Sequence, residues 1–282
     1  MGRAGSQVVS RLRSLAVLAF CAMTGAGAQA DTVPPARVVS MNLCTDQLAM
    51  LLAAPGQLIS ISDLARDSRS SAMAEQAVAY PVNHARAEEI YLLEPDLVLA
   101  GSYSDAATLT MLERLGIRVE RFPPAFGLEA VEDGLRRMGD VLGQPAQGAA
   151  MAEAFAKRRA RLAVPADGPL AATYAANGYT NGGGSLSGEI VKAAGFRNLG
   201  ESLGMQGGGV LPLELLLLAD PALVISGNTY PGASRSEEIL RHPALLEMTA
   251  QKMRVEDRDW LCGLPAVLDV VERLGKAREA LQ

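Results

Sequence analysis

Histidine is almost missing from this chain: 282 residues hold two, His84 and His242. A Ser-His-Asp arrangement needs an imidazole base, and zinc sites need several His or Cys ligands, so both are poorly supplied. His242 precedes Pro243 in a helical stretch and reads as structural, which leaves His84 alone. Gly184-Ser185-Leu186-Ser187-Gly188 puts leucine where a hydrolase elbow needs its nucleophile. The run Gly182 to Ser187 misses the dinucleotide fingerprint because its sixth residue is not Gly or Ala, and no Lys-Ser or Lys-Thr follows a glycine loop. Nothing marks a catalytic pair of carboxylates. The residues point away from an enzyme and call for no cofactor and no metal; an exported hydrolase-like α/β enzyme is the alternative to weigh.

Positive charge is also in deficit, 26 Lys and Arg against 31 Asp and Glu. Arg3, Arg11 and Arg13 lie near the start, ahead of an apolar core from Leu15 to Met23 that is too short to span a bilayer. Ala28-Gln29-Ala30 then ends in small residues at signal-peptidase spacing, which predicts a signal peptide over residues 1–30, cleavage before Asp31 and export to the periplasm. Removing three arginines and no acids takes the formal charge from −5 to −8. So acidic a chain excludes nucleic acid and anionic membrane surfaces as partners. No later run of 18 apolar residues occurs, so the mature chain is expected to be soluble. Cysteine is scarce too. Cys44 and Cys262 remain after cleavage, and an oxidising compartment allows either a disulfide stapling the first lobe to the last segment or two separate thiols.

What is present is α/β grammar. Glu88 to Gly101 reads as a helix stopped by Pro95 and then a buried strand from Leu97. The pattern returns with Glu214, leucines 215–218, Pro221 and Leu223 to Ser226; each glutamate stands seven residues before its proline. Strands are expected at 37–41, 58–61, 97–100, 117–122, 170–175, 223–226 and 253–255, with helices at 46–53, 106–115, 128–142, 186–194 and 266–281. This alternation predicts mostly parallel βαβ units in two similar lobes. Residues 62–82 read as a loop with a short helix, 236–246 as helical with a break at Pro243, and 257–265 as a loop. Pro145 opens a long helix through Leu162 and Val164 in which the late Lys157, Arg158, Arg159 and Arg161 suit the dipole of its C-terminus or, alternatively, form a solvated face. The segments are therefore an N-terminal lobe 31–143, a bridging helix 144–164 and a C-terminal lobe 165–282.

Aromatic residues are only 4% of the chain, yet they gather near strand ends. Tyr80 with His84, Tyr103, Phe126, Tyr179, Tyr230 and Trp260 all fall at or near carboxyl ends of strands or in the loops after them. In parallel sheets those ends face the ligand crevice, and rigid aromatics there suit a bulky organic ligand. Asn42, Tyr80, Asn83, His84, Tyr103, Tyr179, Tyr230 and Trp260 are the candidate ligand-binding residues.

The order of Val38-Val39-Ser40-Met41-Asn42, Ala87-Glu88-Glu89-Ile90 through Pro95-Asp96-Leu97-Val98, the helix after Gln144, Glu214 through Val224, Arg241-His242-Pro243-Ala244-Leu245 and Trp260-Leu261-Cys262-Gly263 resembles one family. It is that of periplasmic substrate-binding proteins of ABC importers serving cobalamin, haem and ferric siderophores. The resemblance implies two Rossmann-like lobes joined by one long helix with the ligand cleft between them, little lobe movement, a monomer, and no catalysis. It implies that Glu88 and Glu214 pair with arginines of a membrane permease, where the residues alone read as helix-start carboxylates favoured by the dipole. A ligand-independent sensor or scaffold of the same fold is a further alternative. The corrin-packing tryptophan of the cobalamin receptors is missing; Val82-Asn83-His84 stands there. Tyr80 and His84 lie near the tyrosine that ligates iron in haem receptors, and Arg66 and Arg69 are the first-lobe arginines a siderophore would use.

Overall fold

Val38, Val39, Leu97, Val98, Leu99 and Ala100 have no exposed surface, which is why these short apolar runs become the centre of a sheet covered on both faces. Each such Leu or Val contributes about 1.5–3 kcal/mol by burial. A computed structural model describes residues 33–227, 229 and 234–281. The signal peptide expected at 1–30 and the candidate Tyr230 lie outside the described residues.

The first half carries β1 (Val38–Ser40), β2 (Leu58–Ser62), β3 (Val82–Asn83), β4 (Leu97–Gly101) and β5 (Val119–Phe122). They form one parallel sheet in the order β3-β2-β1-β4-β5. Its helices are α1 (Leu43–Leu52), α2 (Ala74–Ala77), α3 (Ala87–Tyr91), α4 (Ala106–Arg114) and α5 (Leu128–Val141). Next comes α6 (Pro145–Leu162). The second half adds β6 (Leu170–Thr173), β7 (Tyr179–Thr180), β8 (Arg197–Asn198), β9 (Gly209–Val210), β10 (Leu223–Ser226) and β11 (Gln251–Arg254). A second parallel sheet runs β11-β10-β6-β8, and β7 pairs antiparallel with β9. Its helices are α7 (Leu186–Ala193), α8 (Leu199–Ser202), α9 (Leu213–Ala219), α10 (Pro243–Glu247), α11 (Asp257–Trp260) and α12 (Val267–Glu279). The expected α/β class, two lobes with mostly parallel sheets, is the observed one.

Differences from the expected elements have local causes. The first helix begins at Leu43, not Asp46, because the Asn42 carboxamide oxygen accepts the N–H of Cys44 and of Thr45. β3, β7, β8 and β9 are two-residue strands, too short for any alternation to register. α11 makes one helical turn of a segment expected to be a loop.

The repeated unit is repeated down to the backbone. α3 is followed by Glu94 at φ +48°, Pro95 and β4; α9 is followed by Asp220 at φ +40°, Pro221 and β10. A left-handed acid directly before proline turns the chain sharply from helix into strand, at a conformational cost for any residue but glycine. In the first copy Arg37 offsets that cost by donating to the carbonyls of Leu93 (2.6 Å) and Glu94 (3.0 Å).

α6 has 18 residues, about 27 Å at ~1.5 Å each. It crosses α5 at a glycine pair: a Cβ on Gly139 would meet the Gly148 Cα at 2.8 Å. Its basic cluster is more than a solvated face. Arg159 pairs with Glu129 and, at 2.9 Å, with Glu132 of α5, whereas Arg158 pairs with Asp269 (2.6 Å) and Glu272 (3.0 Å) of α12. Neighbouring arginines thus tie α6 to helices of both halves.

Candidate functional site

In the first sheet the chain moves outward from β1 to β2 and β3, then returns to start β4 on the other side. Two adjacent strands whose following segments depart in opposite directions leave a crevice beyond their carboxyl ends. That crevice is here, with a volume of about 350 Å³. Asn42 and Cys44 line it after β1, Ser102 and Tyr103 after β4, and Phe122 to Ala125 at the end of β5. The second half contributes Leu261 and Gly263.

The walls are apolar: Leu48, Phe122, Pro123, Pro124 and Leu261. Arg137 and Asp133 on α5 supply the charged groups, and the Arg137 guanidinium lies over the Phe122 ring, 4.6 Å from its centroid. Gly101 is needed at the crevice floor, because a Cβ there would stand 2.9 Å from the Asn42 Nδ2. Cys44 and Cys262 are joined by a disulfide with Cα atoms 5.2 Å apart, which holds the Leu261–Gly263 wall against α1. Gly263 packs so closely that a Cβ on it would lie 2.5 Å from the Ala125 Cβ.

Thr45, which lines the crevice, belongs to a group of buried, hydrogen-bonded polar residues. The Ser40 and Thr45 hydroxyls are 2.8 Å apart, and Asp46 accepts from the N–H (3.1 Å) and the hydroxyl of Ser62. Burial pushes the Asp46 carboxyl up to about 6, against the lowering effect of its serine partners.

The seven described candidate residues do not converge. Asn42 and Tyr103 line the crevice, and Tyr103 is 83% exposed. Asn83 is a correction: it is fully buried, its Nδ2 donating to the Ser40 carbonyl (2.9 Å) and the Ser60 hydroxyl (3.0 Å) while its Oδ1 accepts from Ala85 N–H. It holds β3 to the sheet rather than facing a ligand. His84 is exposed; its backbone N–H donates to Glu89 (2.9 Å) and its ring lies 3.1 Å from the same carboxylate, and these bonds, the backbone one foremost, hold the Glu89 carboxyl below its ordinary value. Tyr80 and Trp260 are half-buried and packed on the main core, and Tyr179 lies against Gly208 of the β7–β9 ribbon. None of these five lines the crevice. Arg66 is spent on the carbonyls of Ala77, Val78 and Tyr80, and Arg69 on Asp67. Glu88 and Glu214 are exposed in the first turns of α3 and α9.

Gly101, Phe122, Pro124, Arg137 and Leu261 line the crevice but were not among the candidates read from the sequence. Strand adjacency brings them together, and only the double proline after β5, which stiffens that wall, was a local sign.

The sequence matches the description "Periplasmic binding protein" over residues 38–254. The chain belongs to the periplasmic binding protein family. That family is one of binding proteins, not enzymes, in keeping with the expected lack of catalysis. A cobalamin-binding protein of Halobacterium salinarum is 26% identical over 202 residues, 68% of this chain and 54% of the relative. The chain thus spans about half the length of the curated relatives it matches. Among solved structures, the periplasmic heme-binding protein RhuT from Roseiflexus sp. RS-1 superposes with a TM-score of 0.73 at 20% identity, over 87% of this chain and 99% of that one. The periplasmic vitamin B12 binding protein BtuF of Vibrio cholerae gives 0.66 at 18%, over 88% and 98%. At these identities the likeness is one of fold. Among the described residues no helix is long and apolar enough to cross a membrane.

Proposed function

We propose that this chain is the receptor of an ABC importer, and that it captures a metal tetrapyrrole, a corrinoid or haem, and delivers it to a membrane permease. The observation that carries this reading is the crevice at the β1–β4 switch point, apolar on its walls and charged at Arg137 and Asp133. Its volume falls in the range of small-molecule sites, ~300–1,000 Å³. A macrocycle with apolar faces and a polar rim matches that distribution. The cobalamin- and haem-binding relatives supply the same ligand class. A ferric siderophore fits less well, because the arginines it would use, Arg66 and Arg69, are engaged within their own loop.

Residues 1–30 direct export, and a disulfide suits the oxidising compartment reached that way. The lobes, 31–143 and 165–282, are joined by the helix between them and move little on binding, since α6, its arginine pairs and the disulfide link the halves. Glu88 and Glu214, exposed at equivalent places, pair with cations of the permease.

The test fills the crevice. Ala130→Trp puts an indole where the ligand would lie. Haemin or cyanocobalamin is titrated into this variant and the parent, followed by visible absorbance. The reading requires a saturable spectral change in the parent that Ala130→Trp abolishes. Equal binding by both proteins would place the ligand elsewhere.

A further inference from the structure

Each exposed glutamate of the repeated unit has an exposed leucine four residues later. Glu88 is followed by Leu92 and Glu214 by Leu218, and the leucines are 79% and 81% exposed. Leu218 lies within α9, and Leu92 closes α3 with helical angles, φ −66° and ψ −17°. On a helix, residues four apart are neighbours, and the Cα–Cβ bond tilts toward the N-terminus, so each leucine leans back toward its glutamate.

A second leucine belongs to each copy. α3 packs beside α4, which is capped at its C-terminus by Leu115, 41% exposed; α9 packs beside α10, whose Leu246 is 57% exposed. Single exposed leucines occur on any surface and need no explanation. Acid and leucine at the same spacing, repeated at equivalent places in both halves, are a different observation.

We infer that Glu88–Leu92 and Glu214–Leu218 are two equivalent composite docking patches. Each takes a basic side chain beside an apolar one, on a membrane protein that offers this pair twice. The acids select and orient a cationic partner, whereas leucines that lose water on contact lengthen the life of the complex. Two like patches on one chain fit a partner built of two like halves. This inference rests on the permease-docking reading of the two glutamates and adds to it the apolar half of each contact.

The experiment measures binding of the haemin- or cyanocobalamin-loaded chain to membrane vesicles from its own cells. Parent, Leu92→Ser, Leu218→Ser, the double leucine variant, and Glu88→Lys with Glu214→Lys are compared at low and high salt. The leucines are exposed, so their replacement by serine should leave thermal unfolding and ligand titrations unchanged. Expected are similar losses for the two single leucine variants and about a tenfold or greater loss for the double variant. The leucine-dependent part should persist at high salt while the glutamate-dependent part is screened. If the glutamate variant loses binding and the double leucine variant keeps it, the inference is wrong and the docking glutamates stand. If the glutamate variant binds as the parent does, or the parent does not bind, the docking reading fails and this inference fails with it.

Discussion

Cys44 and Cys262 stand 218 positions apart in the chain, and their Cα atoms, 5.2 Å apart, are joined through a disulfide beside the crevice. The bond ties the start of α1 to the short segment between α11 and α12. Leu261 and Gly263, which flank Cys262, form the wall that the second half gives to the crevice.

Removing this bond should be costly. A cross-link closing so long a loop stabilises by about 5 kcal/mol in the chain-entropy account, and native bridges typically deliver about 2–5 kcal/mol. We expect Cys44→Ser with Cys262→Ser to lower the melting temperature by roughly 5–15 °C. The variant should also bind tetrapyrrole more weakly, as its second wall is no longer held. Calorimetry and a ligand titration read the two effects separately. Unchanged affinity in a destabilised protein would remove Leu261 and Gly263 from the binding site.

Asp46 should give the protein a specific pH dependence. Its folded value, about 6, lies above the ordinary 3.8, so the folded state holds the proton more tightly. The resulting stability is fully present below about pH 4 and is lost as pH rises through about 6. Asparagine imitates the protonated acid, with an oxygen for the Ser62 N–H and an NH₂ for its hydroxyl. Relative to Asp46→Asn, the parent should therefore lose up to about 3 kcal/mol between pH 4 and pH 7. Denaturant titrations at both pH values check this, and a constant difference would contradict it.

Gly101→Ala should injure fold and site together. The new Cβ, 2.9 Å from the Asn42 Nδ2, forces that side chain away from the Cys44 and Thr45 N–H groups. Loss of the cap costs about 1 kcal/mol. Ligand affinity should fall as well, because Asn42 then enters the crevice. A variant of unchanged stability and affinity would show that Asn42 repacks freely.

Arg137→Leu should separate two members of the ligand class. The guanidinium over Phe122 gives one N–H to Glu120 (3.4 Å), and its remaining donors suit carboxylates, which haem carries and cyanocobalamin lacks. A charge-assisted hydrogen bond is worth about 1.5–3 kcal/mol, so haemin affinity should fall by about tenfold or more while cyanocobalamin affinity changes little. Equal losses for both would assign Arg137 to packing alone.

Much of this architecture was legible in the sequence. Leu97 to Ala100 and Leu223 to Ile225 are unbroken apolar runs between turn residues, and Pro145 with the alanine-rich stretch after it announces α6. The repetition of Glu88 and Glu214 before Pro95 and Pro221 was also visible, although the left-handed Glu94 and Asp220 were not. The site was legible only in part. Asn42 and Tyr103 follow strands that happen to be adjacent, so position at a strand end sufficed to bring both to the crevice. Asn83 failed because polarity near a strand end does not say which way a side chain points, and here it closes bonds inside the sheet. Phe122, Arg137 and Leu261 come together through strand order and a disulfide spanning most of the chain, neither of which local patterning encodes.

The central claim is that the crevice beyond β1 and β4 holds a metal tetrapyrrole. The most direct measurement is titration of the parent protein with haemin, with cyanocobalamin and with a ferric siderophore, following visible absorbance and Trp260 fluorescence, the indole lying next to the crevice residue Leu261. The account predicts a saturable one-to-one change with at least one of the two tetrapyrroles, and tighter binding of it than of the siderophore. Binding of a small sugar or amino acid with no response to either tetrapyrrole would contradict it.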